Sequence, residues 1–400
     1  MSSGTQIMLI AGEPSGDLLA SELVLALKQL PAVQAMPWPP KFFGAGGPRM
    51  AEAGVEVLID LTAHSVFGLT DVLSQYRKFK GFFRTLLCEA VKRQPEAIVL
   101  VDFGGFNLRF AEAVRRYVRR HAGTFNVWSP RIIYYVSPQV WASRPGRAYR
   151  MARTVDLLLS IFPFEKDWYA KRVPQLRVEF VGHPLIDRHG SAECGVRSAE
   201  FWETPLVLLL PGSRKREIEA HLPAMAGAVR IIRRERAVRL RMVLPSLDLV
   251  DFASKVAGPL PDLEVQAKGL AESLREAGLS IASSGTVTLE CGFFRVPTVV
   301  IYKTSWLTYQ IAKQIITVNH IAMPNLLAGE ALYPELIQSQ ATPEAIASAT
   351  VTLLDDPSRL AVLKSKLSQA IRSLGESGAS RRAAAAVVRE ATANELRLVP

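Results

Sequence analysis

The chain has 400 residues, about half of them apolar, with a formal charge of +11 and a pI near 9.7. That length and apolar fraction give sizeable cores in two or more domains and exclude a disordered chain. Three scattered cysteines, Cys88, Cys194 and Cys291, and six histidines without ligand spacing support neither a disulfide framework nor a metal site.

The charge implies an anionic partner, whether nucleic acid, acidic lipid or a phosphorylated substrate. Lys and Arg are spread along the chain and no nucleic-acid motif is visible, so nucleic acid is not expected. Met1 to Gln6 is short and polar and runs into Ile7 to Ala11 without a basic region, a long apolar stretch or a cleavage site. No segment approaches the ~20 apolar residues of a spanning helix. A cytosolic or peripheral location is expected.

Apolar runs rich in Val, Ile and Leu alternate with longer amphipathic segments, the pattern of parallel sheets flanked by helices. The predicted strands of a first unit are Ile7 to Ala11, Ile98 to Val101, Ile132 to Val136, Leu157 to Ile161 and Glu179 to Val181. Those of a second are Val207 to Leu210, Leu240 to Val243, Leu279 to Ala282 and Thr298 to Tyr302. Between them Asp187 to Thr204 is polar and aperiodic and reads as the linker. The fold class expected is α/β, two Rossmann-like domains with a cleft between them. The first spans residues 1–186 and the second 187–400, whose last helices pack on the first domain or exchange with a partner chain. In such sheets ligands gather beyond the carboxyl ends of the strands.

Taken in order, the first strand exits into Gly12-Glu13-Pro14-Ser15-Gly16-Asp17, a glycine turn with two acids at its mouth, one of which also suits the first turn of a helix. Gly44-Ala45-Gly46-Gly47-Pro48 reads as a second glycine turn opening a helix. Val66 to Leu87 sets Leu69, Leu73, Tyr76, Phe79, Phe83 and Leu86 at near-helical spacing, with Phe82 off that stripe and Arg77, Lys80 and Arg84 along another face. A core helix with a solvated basic side and a helix lying on an anionic membrane explain this equally well. Ile98 to Val101 ends in Asp102-Phe103-Gly104-Gly105-Phe106-Asn107. An acid at a strand exit, before glycines that let substrate approach, is where a general base would sit, although such an Asp is as often a turn former. His183, before a proline, reads as a loop residue.

In the second unit Leu206 to Arg214 is a strand and a turn that ends on a guanidinium suited to phosphate oxygens. Ile281-Ala-Ser-Ser-Gly-Thr-Val-Thr-Leu-Glu290 is a strand, a tight turn and a helix start. Its backbone amides suit a diphosphate, and Glu290 lies one helical turn past Thr286, within reach of sugar hydroxyls.

In the family's order, the segments AGEPSGD (11–17), GAGGPRM (44–50), YVSPQVWA (135–142), IFPFE (161–165), VGHP (181–184), LPGSR (210–214), SGTVTLE (284–290) and PNLLAG (324–329) give a chain that resembles the lipid A disaccharide synthases, membrane-associated glycosyltransferases of the GT-B class. The resemblance implies an inverting transfer from UDP-diacylglucosamine to the sugar phosphate lipid X, with release of UDP and no cofactor or obligatory metal. It implies that Asp102 is the base and that Arg214, Ser284, Gly285, Thr286, Glu290 and Asn325 hold the UDP. It places Glu13, Ser15 and Asp17 on the acceptor side and Phe67 and Leu69 in a membrane-facing segment; with them, Phe82, Arg77, Lys80 and Arg84 of the basic-aromatic helix are the candidates to face a membrane. It further implies a peripheral place on the cytoplasmic face of the inner membrane, with homodimers among its members. Here Gly104-Gly105 replaces the Pro-Asp or Pro-Gly of some relatives, and Ser143 stands where a second Trp is common. The residues alone leave open another GT-B enzyme for UDP-sugars and a catalytically silent nucleotide-sugar-binding protein.

Overall fold

The computed structural model describes residues 5–64, 72–123, 127–190, 204–258, 260 and 262–393. The chain divides into two compact units, Met1–Arg188 with Gly375–Pro400, and His189–Leu374. Each is Rossmann-like, a parallel sheet with helices, so the α/β class expected from the alternating pattern is the one formed.

The first unit contains β1 (Gln6–Ala11), β2 (Lys41–Gly46), β3 (Glu56–Asp60), β4 (Ala97–Val101), β5 (Arg131–Tyr135), β6 (Leu157–Ser160) and β7 (Val178–Phe180), ordered β3-β2-β1-β4-β5-β6-β7. Its central strands are apolar at successive positions because both faces are covered: every residue of β4 is buried, and Met8, Ile10, Leu100 and Tyr134 share a cluster with Leu86, Leu108 and Phe110 from helices. The order reverses between β1 and β4, which end in register at Ala11 and Val101. The loops that begin at Gly12 and Asp102 therefore leave adjacent strands at a topological switch point.

The second unit repeats the design with β8 (Leu206–Leu210), β9 (Arg239–Leu244), β10 (Leu263–Ala267), β11 (Leu279–Ser283), β12 (Thr298–Tyr302) and β13 (Glu335–Ile337), ordered β10-β9-β8-β11-β12-β13. Its switch point lies between β8 and β11, where Leu210 pairs with Ala282.

Three readings of the sequence are corrected. Gly44 to Gly46 lies in β2 rather than in a turn; Gly44 has φ of 150°, and a Cβ there would sit 1.9 Å from the Leu9 carbonyl oxygen, so glycine lets β2 close on β1. The strands β3, β10 and β13 went unpredicted because they are partly exposed and mixed in composition, unlike the central runs. Asp187, read as the start of a linker, belongs to the helix Pro184–His189. Its carboxylate accepts from the amides of Gly378, Ala379 and Ser380 at 2.6, 3.1 and 2.8 Å, capping the helix Ala379–Thr392, which packs on the helix Pro14–Gln29 of the same unit. Residues 191–203 of the linker lie outside the described residues.

Candidate functional site

At the first switch point the chain leaves β4 in a strained turn. Asp102 and Phe103 both have left-handed backbones, φ of 46° and 48°, which cost about 1–3 kcal/mol each for residues with a Cβ. Three hydrogen bonds hold the turn. The Asp102 amide donates to the Tyr135 carbonyl at 3.1 Å, extending the ladder, while its carbonyl accepts from the Tyr134 hydroxyl at 2.5 Å and the Asn107 amide at 2.8 Å. Asn107 Nδ2 also reaches the carbonyls of Val101 and Ile10, tying the ends of β4 and β1 together. Neither Tyr134 nor Asn107 stands out in the sequence; an aromatic hydroxyl inside an apolar strand and an amide in the first turn of an amphipathic helix, on its buried face, are the available signals.

The Asp102 side chain is half-buried, and burial first, then the nearby Glu13 carboxylate, push its carboxyl up to about 6. A base that is mostly ionised at neutral pH yet more proton-hungry than an ordinary carboxylate suits abstraction of a hydroxyl proton. Glu13 is the N-cap residue of Pro14–Gln29, and Ser15 is exposed on its first turn. Gly12 is required by Phe103, whose ring would lie 2.2 Å from a Cβ there. Asp17 differs from its neighbours. It is 2% exposed and accepts from the amides of Gly47 (2.8 Å), Arg49 (3.1 Å) and Met50 (3.1 Å), so its carboxylate caps the short helix Pro48–Glu52. The structure thus brings Glu13 beside Asp102 and turns Asp17 to support.

Two further motifs are also braces. Trp141 Nε1 and the Phe162 amide both donate to Glu165, which burial pushes up to about 7, joining the loops after β5 and β6. His183 Nδ1 accepts from the Leu185 amide at 3.1 Å, and burial takes its pKa down to about 3, so it stays neutral as a helix cap.

In the second unit the loops after β8 and β11 leave neighbouring strands and each opens a helix, Lys215–Glu235 and Thr286–Phe293. Gly285 has φ of 152° and ψ of −165°, a region open to glycine, and faces open space. It and Thr286 are exposed, with Ser284 and Glu290 half-buried along the same turn and helix. Arg214 is the N-cap residue of the first of these helices, half-exposed and 3.7 Å from Glu217. Glu217 also accepts from the Ser213 amide at 2.8 Å, so this acid covers a donor that an incoming phosphate would use. Gly212 (φ 132°) admits it, since a Cβ there would lie 2.5 Å from the Glu217 side chain.

The segment around Asn325 is tied to this turn: Ser284 Oγ donates to the Ile321 carbonyl, and the Met323 amide donates to Thr288 Oγ1. Asn325 itself is fully buried. Its amide nitrogen donates to the Tyr333 carbonyl and to Glu335, and its oxygen accepts from the Tyr333 amide, all between 2.8 and 2.9 Å. In the described residues it holds its segment rather than presenting its amide. Sequence reading missed His221, 2% exposed. Its Nδ1–H donates to the Pro211 carbonyl at 2.9 Å and Nε2 accepts from the Lys303 amide at 3.0 Å, pinning the loops after β8 and β12. Burial lowers its pKa, which keeps the neutral tautomer both bonds need.

The basic-aromatic helix is Val72–Arg93. Arg77, Lys80 and Arg84 are exposed, whereas Phe79, Phe82 and Phe83 are half-buried against the core of the first unit. Phe67 and Leu69 lie outside the described residues. No described helix is long and apolar enough to cross a membrane.

Comparison with known proteins agrees with this layout. The structure aligns with the co-structure of S. aureus MnaA and UDP over 99% of this chain and 98% of that one, at a TM-score of 0.61 and 14% identity. It aligns with CalG4, a calicheamicin glycosyltransferase, over 100% of both chains at 0.61 and 15% identity. At such identities the likeness establishes the fold, the α/β two-domain GT-B type. By sequence the chain is 38% identical over 395 residues to the lipid-A-disaccharide synthase of Geobacter sulfurreducens, covering 96% of each. The profile described as lipid-A-disaccharide synthetase matches residues 7–390, and the chain belongs to that family.

Proposed function

We propose that the two units divide one inverting glycosyl transfer: Asp102 takes the proton from the acceptor hydroxyl, and the turns at Arg214 and Gly285 hold the departing UDP. The chain is a glycosyltransferase that forms the lipid A disaccharide. The finer reading is that the donor is UDP-2,3-diacylglucosamine and the acceptor 2,3-diacylglucosamine 1-phosphate, lipid X, giving the disaccharide 1-phosphate and UDP. The observation that supports it most is Asp102, fixed in a strained turn at the switch point with its carboxyl raised to about 6. Attack of the acceptor oxygen forms the new glycosidic bond as the bond to the diphosphate breaks. The proton passes to Asp102, and the diphosphate charge is met by helix amides and the Arg214 guanidinium. Ser284 and Thr286 flank that turn, Glu290 faces the ribose, and Asn325 acts as a positioning residue. Glu13 tunes Asp102, with Ser15 at the acceptor's edge.

Both substrates carry acyl chains, so the protein must work at a bilayer. Arg77, Lys80 and Arg84 form the face of Val72–Arg93 that meets anionic lipid, on the cytoplasmic side of the inner membrane, without spanning it. The test is mass spectrometry of products from UDP-diacylglucosamine and lipid X. Wild type is expected to yield the disaccharide phosphate and UDP, and Asp102→Asn to turn over roughly two to four orders of magnitude more slowly. UDP release with soluble sugars alone would defeat the lipid reading.

A further inference from the structure

Beside the Asp102 turn lies a concentration of positive charge that the reaction as described does not use. Arg144-Pro145-Gly146-Arg147 is a tight turn, closed by a hydrogen bond of 3.0 Å from the Arg147 amide to the Arg144 carbonyl, which brings the two arginines together at its ends. Arg147 opens the helix Arg147–Thr154, where the positive end of the helix dipole disfavours a cation. Its guanidinium approaches the start of a second helix, Gly104–His121, with Nη1 3.5 Å from where a Cβ of Gly104 would stand. Arg147 is half-buried, and among the described residues no carboxylate pairs with it. Nearby Arg150 is neutralised by Glu112 through bonds of 2.6 and 2.8 Å. Burial, followed by the charges of Arg144 and Arg150, holds the Arg147 guanidinium below the usual arginine range. A partly desolvated, uncompensated cation at two helix starts is costly unless an anion completes it.

We propose that the Arg144–Arg147 turn is the subsite for the phosphate of the acceptor sugar, with Arg147 as its principal contact. This rests on the reading that the acceptor is a sugar phosphate. A planar guanidinium binds phosphate oxygens in pairs, and the Gly104 amide region adds donors from the helix start. A Cβ at Gly104 would stand 2.6 Å from the Pro138 ring, so glycine there lets the helix start and its amides lie close to Nη1.

The experiment measures equilibrium binding and steady-state KM for lipid X and for the same diacylated sugar without its phosphate, in wild type, Arg147→Ala, Arg147→Lys and Arg144→Ala. Wild type is expected to prefer the phosphorylated sugar. Arg147→Ala should lower that preference by roughly ten- to a hundred-fold, with Arg147→Lys recovering part of it and Arg144→Ala losing a smaller share. Equal loss on both sugars, an unchanged preference in Arg147→Ala, or no preference in wild type overturns the subsite. Should Arg147→Ala fail to fold, Arg144→Ala, at an exposed position, decides by the same ratio. If wild type forms no disaccharide yet binds the phosphorylated sugar through Arg147, the transfer reading fails and the subsite stands. If disaccharide forms and the preference survives in the variants, only the subsite falls.

Discussion

Replacing Asp17 separates a brace from a substrate contact. One oxygen of this carboxylate accepts from Gly47 and Met50 and the other from Arg49, over 2.8 to 3.1 Å, and both Gly47 and Met50 bonds are buried. In Asp17→Ala three amides lose their acceptor. Each buried one costs about 1–3 kcal/mol, water can reach the third, and loss of an anion at a helix start adds about 0.3–1, for a total of about 2–7 kcal/mol. In a unit of this size 1 kcal/mol moves the midpoint by about 2–4 °C, so the first unit should melt on the order of 10 °C lower. Asp17→Asn keeps one oxygen for Gly47 and Met50 and turns an N–H toward Arg49, and should lose less than half as much. Calorimetry of the full chain reads the melting, and kcat/KM for the acceptor is taken well below both transitions, where the folded variant should keep its KM. An unshifted transition with a raised acceptor KM would refute the bracing role and return Asp17 to the substrate.

Asp102, with its carboxyl near 6, should give kcat/KM an acid limb near pH 6 that vanishes in Asp102→Asn; a limb that persists in the variant assigns it to another group. Because its pKa is raised on folding, the stabilisation it offers is present below about pH 4 and lost as pH rises through about 6, so Asp102→Asn should melt no lower than wild type at pH 7.5. His221 runs the other way: its lowered pKa gives stability present above its ordinary value, about 6.5, and lost as pH falls through the folded value, so His221→Phe should flatten the acid loss of the second unit's melting and raise the donor KM. Gly285→Ala meets no clash but forces a backbone closed to alanine, at about 1–3 kcal/mol, and should weaken UDP binding about ten-fold or more by calorimetric titration, with unchanged affinity refuting the cradle. Reversing Arg77, Lys80 and Arg84 should abolish salt-sensitive sedimentation with anionic vesicles; intact sedimentation removes that helix from the membrane.

The sequence shows most where chemistry and topology coincide. Asp102, Arg214 and Gly285 are legible because each follows a short, predominantly apolar segment that forms a fully buried central strand of a parallel sheet, and the exits of such strands are where ligands bind. Edge strands lack that signature: Glu56–Asp60 and Glu335–Ile337 are half-exposed, and their apolar runs are only three and two residues long. Gly44 looks the same in a phosphate turn as in a strand that must pass close to the Leu9 carbonyl.

Polar residues inside motifs are the harder case, because a carboxylate that binds substrate and one that caps backbone share a sequence signature. Asp17 finds its partners at Gly47 to Met50, Glu165 at Trp141, and His221 at Lys303, each pair joined only once the strands between them are in register. What distinguishes Glu13 from Asp17, four residues apart, is what each charge acts on: the Glu13 carboxylate raises that of Asp102, while three backbone amides fix Asp17. The same distinction sets Arg147 apart from Arg150 one turn later, since Glu112 answers one guanidinium and no described carboxylate answers the other. Function is therefore to be sought where the fold leaves a charge unanswered, and that accounting requires the positions of both partners.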